Sequence, residues 1–400
     1  MNKKYFIIIG CLIMIFSFGA CKKDDVETNK NDTNAVIEEQ NAEEGTTGAE
    51  AETDVEETSG SKNEPDEATS IDIADEPIET SDTSAVREEE DADVVEGEHY
   101  IRTTFTSEAI TQALDPCDGT KDLNIYLPPS YYQSDKRYPV VYYFHGFGDH
   151  MRFLSTYQSS LDMNMALPEN KEFIVVEVDG SRKNKSQGSF WVNSPVSGMW
   201  EDYIIKEIVP YIDENYKTIP KSESRATVGY SMGGFASINL ALRNPDIFSS
   251  VLSVTPGLLK EGSMDIAMDS WTGDSTFKQC YGQTFAPNED NENLCDIPKM
   301  DGTEADNAII EKWETGFSNL EEKIDAYLEK KIPLKAIHVI YGTFDYYKWI
   351  PEGCENFSEI LTKKGVEHTL TQLSAGHTIP SNFIRTYFVP YFTENLEFEE

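Results

Sequence analysis

The chain has 400 residues, with 72 Asp and Glu against 33 Lys and Arg and a formal charge of −39 at pH 7. The acid excess is uneven: residues 22–98 hold 28 acids, 5 bases and no Phe, Tyr or Trp, although aromatics make up 11% of the whole. So acidic a chain excludes nucleic acid and anionic lipid headgroups as partners, because both are bound by Lys and Arg that neutralise phosphate charge. Residues 22–98 lack the apolar surface needed to offset their ordering entropy, which predicts a disordered acidic linker. About 300 residues are left, within the range of one large α/β domain.

At the start of the chain, Lys3 and Lys4 precede an apolar run over 5–18, and Gly19 and Ala20 lead into Cys21. A positive start, an apolar middle and small residues at the end predict a secretory signal. The run is short for a membrane span. Phe18-Gly19-Ala20-Cys21 resembles the lipobox of bacterial lipoproteins, in which the thiol is acylated and the Cys becomes the new N-terminus. A plain cleaved signal is the alternative. The resemblance implies a surface lipoprotein held to the bacterial membrane only through the lipid on Cys21. A diacylglyceryl group supplies the two chains that stable anchoring needs. The linker would then be a tether of roughly 50 Å r.m.s. span, or a solubilising tail with no required length.

From residue 99 onward, short apolar runs alternate with amphipathic segments, which predicts an α/β fold with a mostly parallel sheet and helices on both faces. Strands are predicted over 123–127, 138–144, 173–178, 225–230, 251–254, 337–341 and 369–373. Helices are predicted over 201–216, 234–243, 305–330, 354–364 and 379–392. Residues 257–304 fit neither pattern, being rich in Gly, Asp and Asn with scattered aromatics (Trp271, Phe277, Tyr281, Phe285). They read as an insertion over the site or as a plain surface excursion. Four cysteines, Cys117, Cys280, Cys295 and Cys354, remain once Cys11 and Cys21 are assigned to the leader. Cys280 and Cys295 would close the shortest loop; the other reading is four free buried thiols. No spacing suggests a zinc site, and no metal or cofactor is expected.

The chemistry centres on Gly229-Tyr230-Ser231-Met232-Gly233, set between a predicted strand and a predicted helix. That is the context of a nucleophile elbow, in which a tight strand-to-helix turn leaves no room for side chains beside the serine. By composition the pattern is expected only about 0.1 times in 400 residues. A serine hydroxyl needs a base, and the base needs an orienting carboxylate, following in the order Ser, acid, His. Three histidines follow Ser231. His338 lies in an apolar run and reads as a sheet residue, and His368 reads as exposed at the start of a strand. His377 follows a strand in a loop at its carboxyl end, where open α/β sheets bind ligands, and is the predicted base. Asp345 lies just past the preceding strand and is the predicted acid, with Glu352 and Glu355 as fallbacks. The oxyanion hole requires two backbone N–H groups. Met232 supplies one, and Phe147, in the turn after the strand ending His145-Gly146, supplies the other, with Gly148 as its rival. His145 is expected to brace that turn.

Together His145-Gly146-Phe147-Gly148-Asp149, Asp179-Gly180-Ser181, Met199-Trp200-Glu201-Asp202-Tyr203 leading to Val209-Pro210-Tyr211-Ile212, and the stretch from Gly229 to Gly234 resemble the esterase D-type α/β-hydrolases. Carbohydrate esterase family 1 feruloyl and acetylxylan esterases belong among these. The resemblance covers most of 120–395 and implies a serine esterase acting on esterified plant cell-wall polysaccharide without a cofactor. Tyr230, Tyr346 and Trp349 are the expected substrate-binding aromatics. Deferuloylation of xylan is the leading expectation; deacetylation of xylan is the first rival. A non-catalytic carbohydrate-binding lipoprotein on the same scaffold is the rival from another class.

Overall fold

Eight strands pair into one sheet in the computed structural model, which describes residues 97–399. The leader with Cys21 and the linker up to residue 96 lie outside the described residues. The strands are β1 (Tyr100–Thr106), β2 (Thr120–Tyr126), β3 (Val140–Phe144), β4 (Ile174–Val178), β5 (Arg225–Tyr230), β6 (Ser250–Val254), β7 (Ala336–Gly342) and β8 (Thr369–Leu373). Across the sheet they run β1-β2-β4-β3-β5-β6-β7-β8. Pairs from β4 through β3 to β8 are parallel, and only β2 runs against the rest.

Side-chain alternation along β3 shows why its five residues are all apolar or aromatic. Val140, Tyr142 and Phe144 join one core with Trp200, Tyr203, Phe235 and Phe357. Val141 and Tyr143 join the other with Phe153, Leu161, Phe388 and Phe392. A central parallel strand covered on both faces cannot place a polar residue without burying it. The second core is closed by α1 (Phe153–Met165) and by a C-terminal helical run, π-helical over Ile384–Phe388 and α-helical over Val389–Asn395. The first is closed by a helical run over 200–215, whose middle is π-helical and whose end is α2 (Val209–Asn215), and by α3 (Met232–Arg243).

Several predicted boundaries move. Strand β1 was not foreseen, because one face of its short run is exposed and only Ile101 is buried. The region 257–304 holds α4 (Met264–Ser270) and α5 (Ser275–Phe285), the latter capped by Asp274, whose carboxylate accepts the Phe277 N–H at 2.9 Å. The single helix predicted over 305–330 is two, α6 (Glu304–Glu314) and α7 (Leu320–Glu329). Gly316 lies where a Cβ would come within 2.2 Å of the Tyr281 hydroxyl, and Asn319 adopts φ 51°, so the chain turns at that point. After α8 (Trp349–Lys363), the last predicted helix begins later than 379, because Pro380 starts a turn closed by the Phe383 N–H on its carbonyl at 3.0 Å. All four cysteines in the described residues are free and buried, so the pairing of Cys280 with Cys295 is not formed. Burial pushes the Cys295 thiol up to about 11, which keeps it protonated and unreactive.

Candidate active site

Strands β3, β5, β7 and β8 deliver their following loops to one end of the sheet, the carboxyl end of the parallel strands. Ser231 follows β5 with φ 56° and ψ −116°, a region that L-residues rarely occupy. Its backbone is held from both sides: its N–H donates to Val254 O at 2.9 Å, and its carbonyl accepts the N–H of Gly257 at 3.2 Å. The flanking glycines are required by space. A Cβ on Gly229 would meet Gly233 O at 2.0 Å, and one on Gly233 would meet Phe144 O at 2.0 Å.

His377 Nε2 lies 2.9 Å from Ser231 Oγ, and its Nδ1 lies 2.7 Å from Asp345 Oδ2. Asp345 has no exposed surface, and its other oxygen accepts the Tyr347 N–H at 2.9 Å. Asp345 Oδ2 accepts from Nδ1–H, which leaves the Nε2 lone pair facing the serine hydroxyl. The imidazole is further fixed by Tyr230, whose hydroxyl donates to His377 O at 2.9 Å, and by the Tyr347 ring, edge-on at 5.2 Å. Tyr230, expected to touch substrate, thus has its hydroxyl committed to the histidine backbone while its ring remains in the cavity wall. Burial raises its pKa and keeps it a neutral donor.

The turn after β3 closes with the Asp149 N–H on Gly146 O at 3.1 Å, and Gly148 takes φ 68°, as the third residue of a type II turn requires. Phe147 is its second residue. Met232 opens α3, where first-turn N–H groups have no intrahelical acceptor. Among the described residues, no acceptor engages the N–H of either Phe147 or Met232. Phe147, Ser231, Met232 and His377 line one cavity of about 460 Å³.

Aromatic side chains wall that cavity. Trp271, Phe317 and Trp349 are buried, with Phe317 stacked on Trp349 at 5.8 Å and Phe277 against Trp271 at 4.8 Å. The Trp349 indole N–H donates to Ser270 Oγ at 2.9 Å, so this residue offers an apolar surface to the cavity rather than a donor. Tyr346 stands at the rim, 66% exposed. The rim also carries Asp149, Arg152 and Asp274, with Arg152 paired to Asp149 at 2.8 Å. Trp271 and Asp274 come from the turn between α4 and α5, and Phe277 from α5, which sets 257–304 over the site in part. Phe317 was missed because the predicted helix hid it; the Gly316 and Ser318-Asn319 signals around it mark a break.

The other candidates lie elsewhere. His338 sits in β7, bonded through Nε2 to Thr371 Oγ1 at 2.9 Å, and burial pushes its pKa down to about 4. His368 is half-buried rather than exposed, because both ring nitrogens are engaged, by Ser358 Oγ at 2.6 Å and Val366 O at 2.9 Å. Glu355 accepts the Tyr341 hydroxyl at 2.6 Å. Glu352 lies in the first turn of α8. Neither replaces Asp345 at His377.

Residues 117–352 match the model of the Esterase family. An esterase of Mycobacterium tuberculosis (strain H37Rv) is 25% identical over 278 residues, covering 66% of this chain and 54% of that protein. The chain thus spans about half the length of that relative. An endo-1,4-beta-xylanase/feruloyl esterase of Xylanibacter ruminicola is 32% identical over 132 residues, 31% of this chain and 18% of that protein. Among solved structures, an S-formylglutathione hydrolase from Agrobacterium tumefaciens superposes with a TM-score of 0.50 at 16% identity, covering 74% of this chain and 95% of that one, a likeness of fold. The family match covers more than half of the chain and includes the Ser231 elbow, the turn at Phe147 and Asp345. The chain belongs to the Esterase family and has the α/β-hydrolase fold.

Proposed function

We propose that the protein is a serine carboxylic-ester hydrolase that removes feruloyl or related hydroxycinnamoyl groups from plant xylan through an acyl-enzyme. The observation that carries this reading is the hydrogen-bonded chain Ser231, His377, Asp345 at 2.9 and 2.7 Å, opening on an aromatic-walled cavity. Ser231 Oγ attacks the ester carbonyl while His377 Nε2 takes its proton, and Asp345 stabilises the imidazolium. The N–H groups of Phe147 and Met232 receive the developing oxyanion. His377 gives that proton to the leaving sugar oxygen as its bond to the acyl carbon breaks. Water, deprotonated in turn by His377, then releases the acid and regenerates Ser231. The reaction as written uses neither a metal nor a cofactor.

The acyl preference is supported by the walls. Trp271, Phe277, Phe317 and Trp349 offer ring faces and edges that suit a phenyl acyl group, while an acetyl group would leave most of that surface uncovered. The exposed Tyr346 at the rim offers a ring on which a sugar could lie. The purified domain should hydrolyse methyl ferulate and release ferulate from arabinoxylan faster than acetate, with Ser231→Ala inactive. Equal turnover by Ser231→Ala would remove the assignment, and faster acetate release would move it to deacetylation.

The Cys21 segment supports a lipid-tethered location outside the cytoplasm. Full-length protein expressed in its bacterial host should partition into the detergent phase, and Cys21→Ser should move it to the aqueous phase. Aqueous partitioning of the unaltered protein would contradict the anchor.

A further inference from the structure

His145 and the Asp179-Gly180-Ser181 run have no step in the mechanism above, yet they meet in the structure directly behind the turn that carries Phe147. The His145 side chain is 1% exposed. Its Nε2 accepts the Gly180 N–H at 2.9 Å, and its Nδ1 lies 2.8 Å from Gly146 O. With Nε2 acting as acceptor for the Gly180 N–H, the neutral ring carries its proton on Nδ1; in the charged ring Nδ1 is protonated as well, and Nε2–H faces Asp179 Oδ1 at 3.4 Å instead. Nδ1–H therefore donates to Gly146 O in either state. The ring is held in place: Trp191 packs edge-on against it at 5.1 Å, and a Cβ on Gly180 would lie 2.2 Å from the Trp191 indole.

Gly146 O and the Phe147 N–H belong to one peptide unit. In a planar trans peptide the carbonyl and the N–H point in opposite directions, so fixing one aims the other. Gly146 O is drawn to one side by two donors, His145 Nδ1–H and the Asp149 N–H. A Cβ on Gly146 would lie 3.0 Å from the Tyr230 ring and 3.5 Å from Ser231 Cβ, which shows how close this residue passes to the nucleophile. We propose that His145, held by the Gly180 N–H, is a positioning residue that aims the Phe147 N–H at the oxyanion of the tetrahedral intermediate. The inference rests on the serine-esterase reading. It adds that the buried histidine acts on kcat through one peptide plane without touching substrate.

The test uses p-nitrophenyl acetate, whose small acyl group makes the readout independent of the acyl preference. His145→Gln removes the donor at the Nδ1 position, while His145→Asn retains one there. Since deleting a whole oxyanion donor costs about 10²–10³ in kcat, His145→Gln should lower kcat by roughly tenfold to a hundredfold with KM little changed. His145→Asn should recover part of the loss. Phe147→Pro removes the N–H while suiting the second position of a type II turn, and Phe147→Ala removes the side chain but keeps the N–H. Phe147→Pro should lose far more kcat than Phe147→Ala, and adding His145→Gln to Phe147→Pro should cost nothing further. Independent losses in that double variant, a change confined to KM, or unchanged kinetics in His145→Gln would overturn the proposal. If the His145 variants do not fold, equal kcat in Phe147→Pro and Phe147→Ala would overturn it alone. Retained turnover in Ser231→Ala is a different result, which removes the esterase reading itself.

Discussion

Ser231 and Thr255 are both held at positive φ, 56° and 41°, and they are neighbours through the Val254 and Gly257 bonds that grip the serine backbone. Thr255 is β-branched, and its buried hydroxyl has no partner among the described residues, so two local preferences are broken behind the nucleophile. Such strain persists where the surrounding structure over-determines it, and here it holds Oγ at the end of the sheet. Asp345 offers a sharper test. Its Oδ1 is committed to the Tyr347 N–H, so in Asp345→Asn the amide oxygen stays there and the NH₂ faces His377 Nδ1. The histidine must then carry its proton on Nε2 and cannot accept one from Ser231. Asp345→Asn should fold normally and lose roughly 10⁴ in kcat at pH 7. A loss below tenfold would show that Asp345 does not set the tautomer.

At the scale of elements, the inserted α4 and α5 and the break between α6 and α7 build the wall opposite the triad. Trp271, at the end of α4, touches Phe277 at 4.8 Å and Trp349 edge-on at 5.6 Å, so it links insertion and scaffold. Trp271→Ala should therefore lower kcat/KM for methyl ferulate by about tenfold or more while changing p-nitrophenyl acetate turnover far less, since one lost apolar contact surface is worth roughly 1–3 kcal/mol in a pocket. Equal losses on both esters would show that Trp271 supports the fold alone. Periodicity made the central strands legible because residues such as Val140–Phe144 are buried on both faces. It could not show α4 and α5, whose helical faces are short and interrupted by polar residues. The break at Gly316 was likewise hidden, because it depends on a contact with Tyr281, 35 positions away.

For the whole molecule, the acid excess separates from the chemistry. Residues 99–400 carry 44 acids against 26 bases, and rim carboxylates at Asp149 and Asp274 are joined by one paired arginine, Arg152. A surface potential of that sign disfavours polyanionic ligands relative to neutral ones. Chain order and spacing were enough to select Ser231, Asp345 and His377, because a strand-end loop is recognisable from its flanks, and the structure brings the three side chains together. The sequence did not disclose that Tyr230 would brace His377 or that Phe317 would wall the cavity, since both depend on packing between distant segments. In the proposed reaction Ser231 carries the acyl group. Rapid quenching of the purified domain with methyl ferulate, followed by peptide mass analysis, should find a feruloyl adduct on Ser231 that decays with water and is absent from Ser231→Ala. Turnover of methyl ferulate with no adduct on Ser231, or with the adduct on another residue, would contradict the account.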